Sequence, residues 1–222
     1  MTTGKQTVTQ EVQSFFHDYA VDFDAIYGHT KKRGTIGRWI DKYLRRTMFL
    51  RFEETLKNTS SAAIGSVFDI GCGPGRYLVE FVKQGKKVIA LDLAKGMLDI
   101  AASLVPEAVK NGSITFVESD YMAYQPPFKC DAAVLMGFFD YIEHPVPLIN
   151  KLKGEINKEI YGSFPQSGGF LAWQRTIRYK MKNCPLYLYS LNDIKKIMSE
   201  CGLDGKYEIK DFGRDYFVKI TL

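Results

Sequence analysis

Apolar residues recur at three- and four-residue spacing through the first quarter of the chain, and that period predicts helices. Val12, Phe15, Phe16, Tyr19, Phe23, Ile26 and Tyr27 form one stripe, with Thr7 and Gln10 as a capping box and Gly28 as a stop. Ile36, Trp39, Ile40, Tyr43, Leu44, Met48 and Phe52 form a second stripe that continues towards Leu56. Both stripes need an apolar surface to cover, so residues 1–60 read as a helical cap or lid on a domain spanning 61–222.

From about residue 65 the period changes. Short apolar runs at 67–71, 88–93, 114–120 and 132–136 alternate with helical stretches carrying Tyr77, Leu78, Phe81 and Val82, then Met97, Leu98, Ala101 and Leu104. Such alternation is the pattern of a parallel sheet with crossovers on both faces. Leu148, Ile149, Leu152, Ile156 and Ile160 predict one further helix, 162–169 a loop, and 170–174 a fifth strand. Residues 191–203 read as a helix closed by Gly202. The segments 207–211 and 216–222 are strands joined around Gly213 and Arg214, a turn so short that only an antiparallel pair can form. The expected fold is α/β: five parallel strands, a terminal antiparallel hairpin and an N-terminal helical cap.

The chemistry begins at residues 67–75, Val-Phe-Asp-Ile-Gly-Cys-Gly-Pro-Gly. Gly71, Gly73 and Gly75 take three Cβ atoms out of a strand-to-helix turn, so the backbone can adopt unusual dihedrals and approach a ligand closely. A nicotinamide or flavin fingerprint needs G-x-G-x-x-G, but Arg76 holds the third place here; a P-loop lysine followed by Ser or Thr is also missing. Asp92 lies 17 residues beyond Gly75, at the end of the second expected strand. There a carboxylate sits beside the first strand's tip and can accept both ribose hydroxyls of a nucleoside. It can equally cap the helix starting near Lys95, and the two roles are compatible.

Composition narrows the class. The 222 residues suffice for one substantial domain plus an appendage, with 45% hydrophobic and 25% charged residues as in ordinary globular proteins. No run approaches the length of a membrane span, the first residues lack a secretory h-region, and Cys72, Cys130, Cys184 and Cys201 show no metal or disulfide spacing. The expectation is a cytoplasmic protein with reduced thiols and no metal. A net charge of +5 is too mild to imply nucleic acid.

From about Ser66 to Leu222 the chain resembles the class I S-adenosylmethionine-dependent methyltransferases. The resemblance rests on Phe68-Asp-Ile-Gly-Cys-Gly-Pro-Gly-Arg, Leu91-Asp-Leu-Ala-Lys-Gly-Met-Leu, Glu118-Ser-Asp-Tyr-Met and Leu135-Met-Gly-Phe-Phe-Asp-Tyr-Ile. It implies a Rossmann-like seven-stranded, mostly parallel sheet, S-adenosylmethionine as cofactor and S-adenosylhomocysteine as product. It further implies that Asp69, Gly71 and Gly73, in one turn with Cys72 and Gly75, surround the methionine moiety. Asp92 would hold the ribose, Leu93 and Met97 would sandwich the adenine, Asp120 with the Tyr121 backbone would meet its amino group, and Met136 would line the floor. Leu93 and Met97 can also be plain core residues, and Asp120 a helix cap.

The first sixty residues look similar to the cap of small-molecule O-methyltransferases acting on porphyrins, quinone precursors or polyketide-like acceptors. Many of those enzymes place a histidine after strand four, where this chain has Tyr141. Asp140, Tyr141, His144, His29 and Tyr19 are the candidates for moving an acceptor proton. Between Lys31 and Arg51 eight cations face the single acid Asp41. This run is either a solvated helix face or a lip for an anionic acceptor, with Tyr27, Arg45, Arg46 and Arg178 as substrate-binding candidates, and Arg175 near the last of them. The expected partner is a small acceptor, not nucleic acid, since no Asn/Asp-Pro-Pro-Tyr/Phe grip for a flipped base follows strand four. A cofactor-binding protein without turnover is the rival reading.

Overall fold

A computed structural model describes residues 35–181 and 184–222. The stripe at 12–27, including Tyr19 and Tyr27, and His29 lie outside the described residues, as do the side chains of Arg45 and Arg178.

Seven strands form one sheet: β1 (Ser66–Ile70), β2 (Lys87–Asp92), β3 (Ile114–Glu118), β4 (Cys130–Leu135), β5 (Ile156–Pro165), β6 (Tyr207–Asp211) and β7 (Asp215–Thr221). Their order is β3-β2-β1-β4-β5-β7-β6. The first five run parallel, and β7 is antiparallel to both β5 and β6. The mostly parallel sheet and its terminal antiparallel pair are thus as expected. Strand order reverses between β1 and β4, and a reversal opens a crevice at the carboxyl ends of those strands.

Side-chain alternation assigns each strand residue to one of two cores. Phe68, Ile70, Ile89, Leu91, Ala133 and Leu135 face helices α5 (Pro145–Glu155) and α7 (Leu191–Glu200), through Leu148, Ile149, Ile194 and Met198. Val67, Val88, Ala90, Ala132 and Val134 face α2 (Leu78–Lys83), α3 (Lys95–Leu104) and α4 (Pro106–Lys110), with Phe52 and Leu56 of α1 (Thr35–Thr59) against the same layer. Leu104, expected on the apolar face of α3, turns outward instead. The C-terminal half of α1 is tied to the sheet by Thr47 Oγ1 donating to the Phe212 carbonyl at 3.0 Å and by a Lys210–Glu54 ion pair at 2.7 Å. No helix among the described residues is long and apolar enough to cross a membrane.

The fifth strand corrects the sequence expectation. The spacing Leu148, Leu152, Ile156, Ile160 continues a helical period across a change of element: α5 ends at Glu155, β5 starts at Ile156, and 170–174 belongs to helix α6 (Gly169–Lys180). β5 lies between β4 and β7 with residues 160–165 all buried. A strand covered on both faces loses the alternation that would reveal it. Gly162 sits where a Cβ would come within 2.8 Å of the Phe139 ring, so the glycine reflects close packing rather than a loop.

Candidate functional site

The turn after β1 is held by the tip of β2. The amides of Gly71 and Cys72 both donate to the Leu91 carbonyl, at 2.8 and 3.0 Å. Gly71, Gly73 and Gly75 have φ of +72°, +54° and +83°, a region that side chains with Cβ rarely occupy. Their neighbours differ. A Cβ on Gly71 would lie 2.8 Å from the Phe138 ring, and one on Gly75 would lie 2.8 Å from Ala101 Cβ on α3. A Cβ on Gly73 would meet nothing within 4 Å among the described residues. Two of the glycines therefore permit packing, and the middle one presents backbone to space that no described residue fills. Gly75→Ala should destabilise the protein by about 1–3 kcal/mol, because the Ala101 backbone cannot yield. An unchanged thermal midpoint would refute this.

Two carboxylates flank the turn. Asp92, ending β2, accepts from the Gly73 amide through Oδ2 at 2.8 Å and from the Ala94 amide through Oδ1 at 2.9 Å. It thus fixes the open glycine and the residue that precedes α3, without capping the helix itself. Burial pushes its carboxyl above the ordinary range, against these backbone donors. Asp69, on β1, is 2% exposed, and its Oδ2 has no partner among the described residues. Burial, with the Asp92 charge adding, pushes its carboxyl up to about 8. An unpaired buried carboxylate takes a proton unless a cation neutralises it.

The remaining expected residues follow the carboxyl ends of β2, β3 and β4, which form the rim of the sheet on the side of the glycine turn. Leu93 is half-buried beyond β2, and Met97 is 1% exposed on α3. At the β3 tip, Asp120 Oδ1 accepts from the Met122 amide at 2.8 Å. The Tyr121 ring points into the core, packs edge-on against Phe68, and donates its hydroxyl to Glu155 at 2.8 Å, which leaves only its backbone at the rim. Met136 is half-buried just past β4. Cys72 is buried, and burial, then Asp69 and Asp92, push its thiol well up.

After β4 the chain turns over this rim. The Gly137 amide donates to Ser163 Oγ at 2.7 Å, and the 3-10 turn Phe139–Tyr141 follows. Asp140 is 4% exposed and ion-paired with Arg175 of α6; Arg175 also pairs with Asp215 at 2.9 Å. Arg175 is therefore an internal residue, not part of a basic lip. The Tyr141 hydroxyl is 3.5 Å from that of Tyr179, and burial, Tyr179 and Asp140 push its phenol well above the ordinary range. His144 is exposed at the start of α5, and Arg46 is exposed on α1. Arg51, Ser163 and Asp215 belong to this region without any local sequence signal: nothing in spacing separates Arg51 from the other cations of its run.

Residues 67–153 match a family model described as "Methyltransferase domain". A ubiquinone biosynthesis O-methyltransferase of Aliivibrio fischeri is 29% identical over 120 residues, covering 50% of this chain and 50% of that protein. A magnesium-protoporphyrin O-methyltransferase of Rhodobacter capsulatus is 30% identical over 97 residues, covering 44% and 42%. The chain spans about half the length of the curated relatives it matches. Among solved structures, magnesium protoporphyrin IX methyltransferase from Synechocystis PCC 6803 with bound SAH superposes with a TM-score of 0.72, covering 96% of this chain and 98% of that one. At 18% identity this likeness is one of fold.

Proposed function

We propose that this chain, whose residues 67–153 match a methyltransferase-domain model, is a class I S-adenosylmethionine-dependent methyltransferase that transfers a methyl group from that cofactor to an oxygen of a small or medium-sized acceptor, with S-adenosylhomocysteine as product. The observation that carries this reading is Asp69 Oδ2, buried without a partner among the described residues, beside a turn whose middle glycine faces space that no described residue fills. A ligand with an ammonium group and a nucleoside suits both features. Asp69, Gly71 and Gly73 would hold the amino-acid end, in a turn shaped by Cys72 and Gly75. Asp92 would take the ribose with the lone pairs that Gly73 and Ala94 leave free. Leu93 and Met97 would flank the adenine, Asp120 and the Tyr121 backbone would meet its amino group, and Met136 would form the floor.

The bound cofactor supplies an activated methyl group and a neutral leaving group. The protein's own share is then proximity and alignment. Asp140 is engaged by Arg175, and the Tyr141 phenol holds its proton tightly, so neither is arranged as a base. Such a wall suits an acceptor oxygen acidic enough to arrive ionised. His144 and Tyr19 are the other candidates for a proton-moving role. An anionic acceptor would meet Tyr27, Arg45, Arg46 and Arg178, with residues 1–60 as a lid on the 61–222 domain, in a cytoplasmic protein without nucleic-acid or membrane partners. The names of the ubiquinone and magnesium-protoporphyrin O-methyltransferases among the curated relatives support small acceptors.

The test is a coupled assay of S-adenosylhomocysteine release against a panel of phenols, quinols and carboxylic acids. Cofactor binding with no turnover on any of them would favour the rival, a regulatory or scaffolding protein. With an anionic acceptor, Arg46→Glu should raise KM several-fold and flatten its salt dependence, while cofactor affinity stays at the wild-type level. A KM that does not move would mark Arg46 as a solvated surface charge.

A further inference from the structure

We infer that Arg175 is a positioning residue: with Asp140, Asp215 and Arg51 it forms a buried clamp that holds residues 137–141 against the glycine turn. The four charges join elements that are remote in sequence. Arg51 of α1 reaches Asp215 Oδ2 at 3.2 Å, Arg175 of α6 reaches Asp215 Oδ1 at 2.9 Å, and Arg175 Nη2 pairs with Asp140 Oδ2 in the turn after β4. Side-chain exposure along the chain of pairs is 16% at Arg51 and no more than 10% at the other three.

The clamp grips the turn at several points. The Asp140 carboxylate is held by Arg175, and its carbonyl accepts from the Tyr187 amide at 2.8 Å. The Gly137 amide is held by Ser163 Oγ, which also accepts from Arg51 at 3.3 Å. Between these anchors stands Phe138, whose ring lies 2.8 Å from where a Cβ on Gly71 would be. Displacement of 137–141 is therefore transmitted directly to the turn proposed to hold the cofactor's amino-acid end.

A merely stabilising role accounts poorly for this arrangement. Buried ion pairs contribute little more than well-packed apolar side chains of the same volume. Arg175 Nε is itself buried without a hydrogen-bond partner among the described residues. The guanidinium is thus oriented to serve two carboxylates at the expense of one of its own donors. Its purpose depends on the methyl-transfer reading; its geometry does not.

The test uses the full chain, with S-adenosylhomocysteine as the calorimetric probe and amide hydrogen exchange as a second readout. Arg175→Met leaves Asp140 buried and unpaired, so Asp140→Asn/Arg175→Met is measured beside it, with the Arg51–Asp215 pair intact. Both variants should exchange the amides of 137–142 and Tyr187 at least roughly tenfold faster, with β1 and β2 unchanged, and bind the probe roughly tenfold more weakly. Arg175→Lys should restore part of both losses. A folded double variant with wild-type protection and wild-type affinity would overturn the clamp. If the Met variants do not fold, Arg175→Lys carries the exchange measurement. A wild type that does not bind S-adenosylhomocysteine would defeat the functional reading, while the exchange rates would still decide the clamp.

Discussion

Replacing Asp92 with alanine is expected to weaken S-adenosylhomocysteine binding by about 1.5–3 kcal/mol, the range for lost hydrogen bonds to a charged acceptor. Two effects combine there. The variant loses the carboxylate proposed to take the ribose, and it releases the Gly73 and Ala94 amides that Asp92 now holds at 2.8 and 2.9 Å. Asp92→Asn disturbs both at constant volume, because an amide keeps one acceptor oxygen and brings an N–H that faces backbone donors. It should therefore lose nearly as much as alanine while keeping side-chain volume. 5′-Methylthioadenosine, which has the ribose but no amino-acid tail, should suffer the same loss from Asp92→Ala. Calorimetry that finds wild-type affinity for both ligands, in a variant with an unchanged melting profile, would remove Asp92 from the site.

Asp69 should make the same binding depend on pH. Its folded, ligand-free carboxyl is raised from 3.8 to about 8, first by burial and then by Asp92. Below that value the group carries a proton that must leave before it can pair with an ammonium ion. Affinity for S-adenosylhomocysteine should therefore rise between about pH 6 and pH 8, by up to roughly tenfold per unit, with a proton released on binding. 5′-Methylthioadenosine lacks the ammonium and should show no such rise. Folding stability moves the other way. The unfolded chain loses this proton near pH 4 and the folded protein keeps it, so the Asp69 contribution is fully present below the unfolded value and is lost as pH rises towards 8. Its slope is at most about 1.4 kcal/mol per unit. Asp69→Asn should flatten both profiles relative to wild type. A binding curve for S-adenosylhomocysteine that is level from pH 6 to 8 would mean that no cation pairs with Asp69.

The two experiments divide the ligand between them. Asp92 acts on anything that carries the ribose, and Asp69 only on what carries the amino-acid tail. Arg175 would alter the tail's affinity without touching the ligand, by releasing Phe138 from Gly71.

What the sequence determined by itself lies mostly within residues 67–97. The glycine turn, the Asp92 carboxylate and the first two strands were legible because the constraints are local: a positive φ at Gly71, Gly73 and Gly75 and a strand tip one crossover away act through short stretches of backbone. The terminal antiparallel pair was legible for the same reason, since a short turn admits one pairing. β5 was not, because burial on both faces erased its period and a helical spacing happened to run through Ile156 and Ile160. Nor could sequence say that Tyr121 would turn its ring into the core and leave only backbone at the rim. The chain Arg51–Asp215–Arg175–Asp140 was decided by tertiary structure alone. Its members lie on a helix, a strand start, a second helix and a turn, and a charge acquires a partner only when folding brings together groups that no local pattern relates.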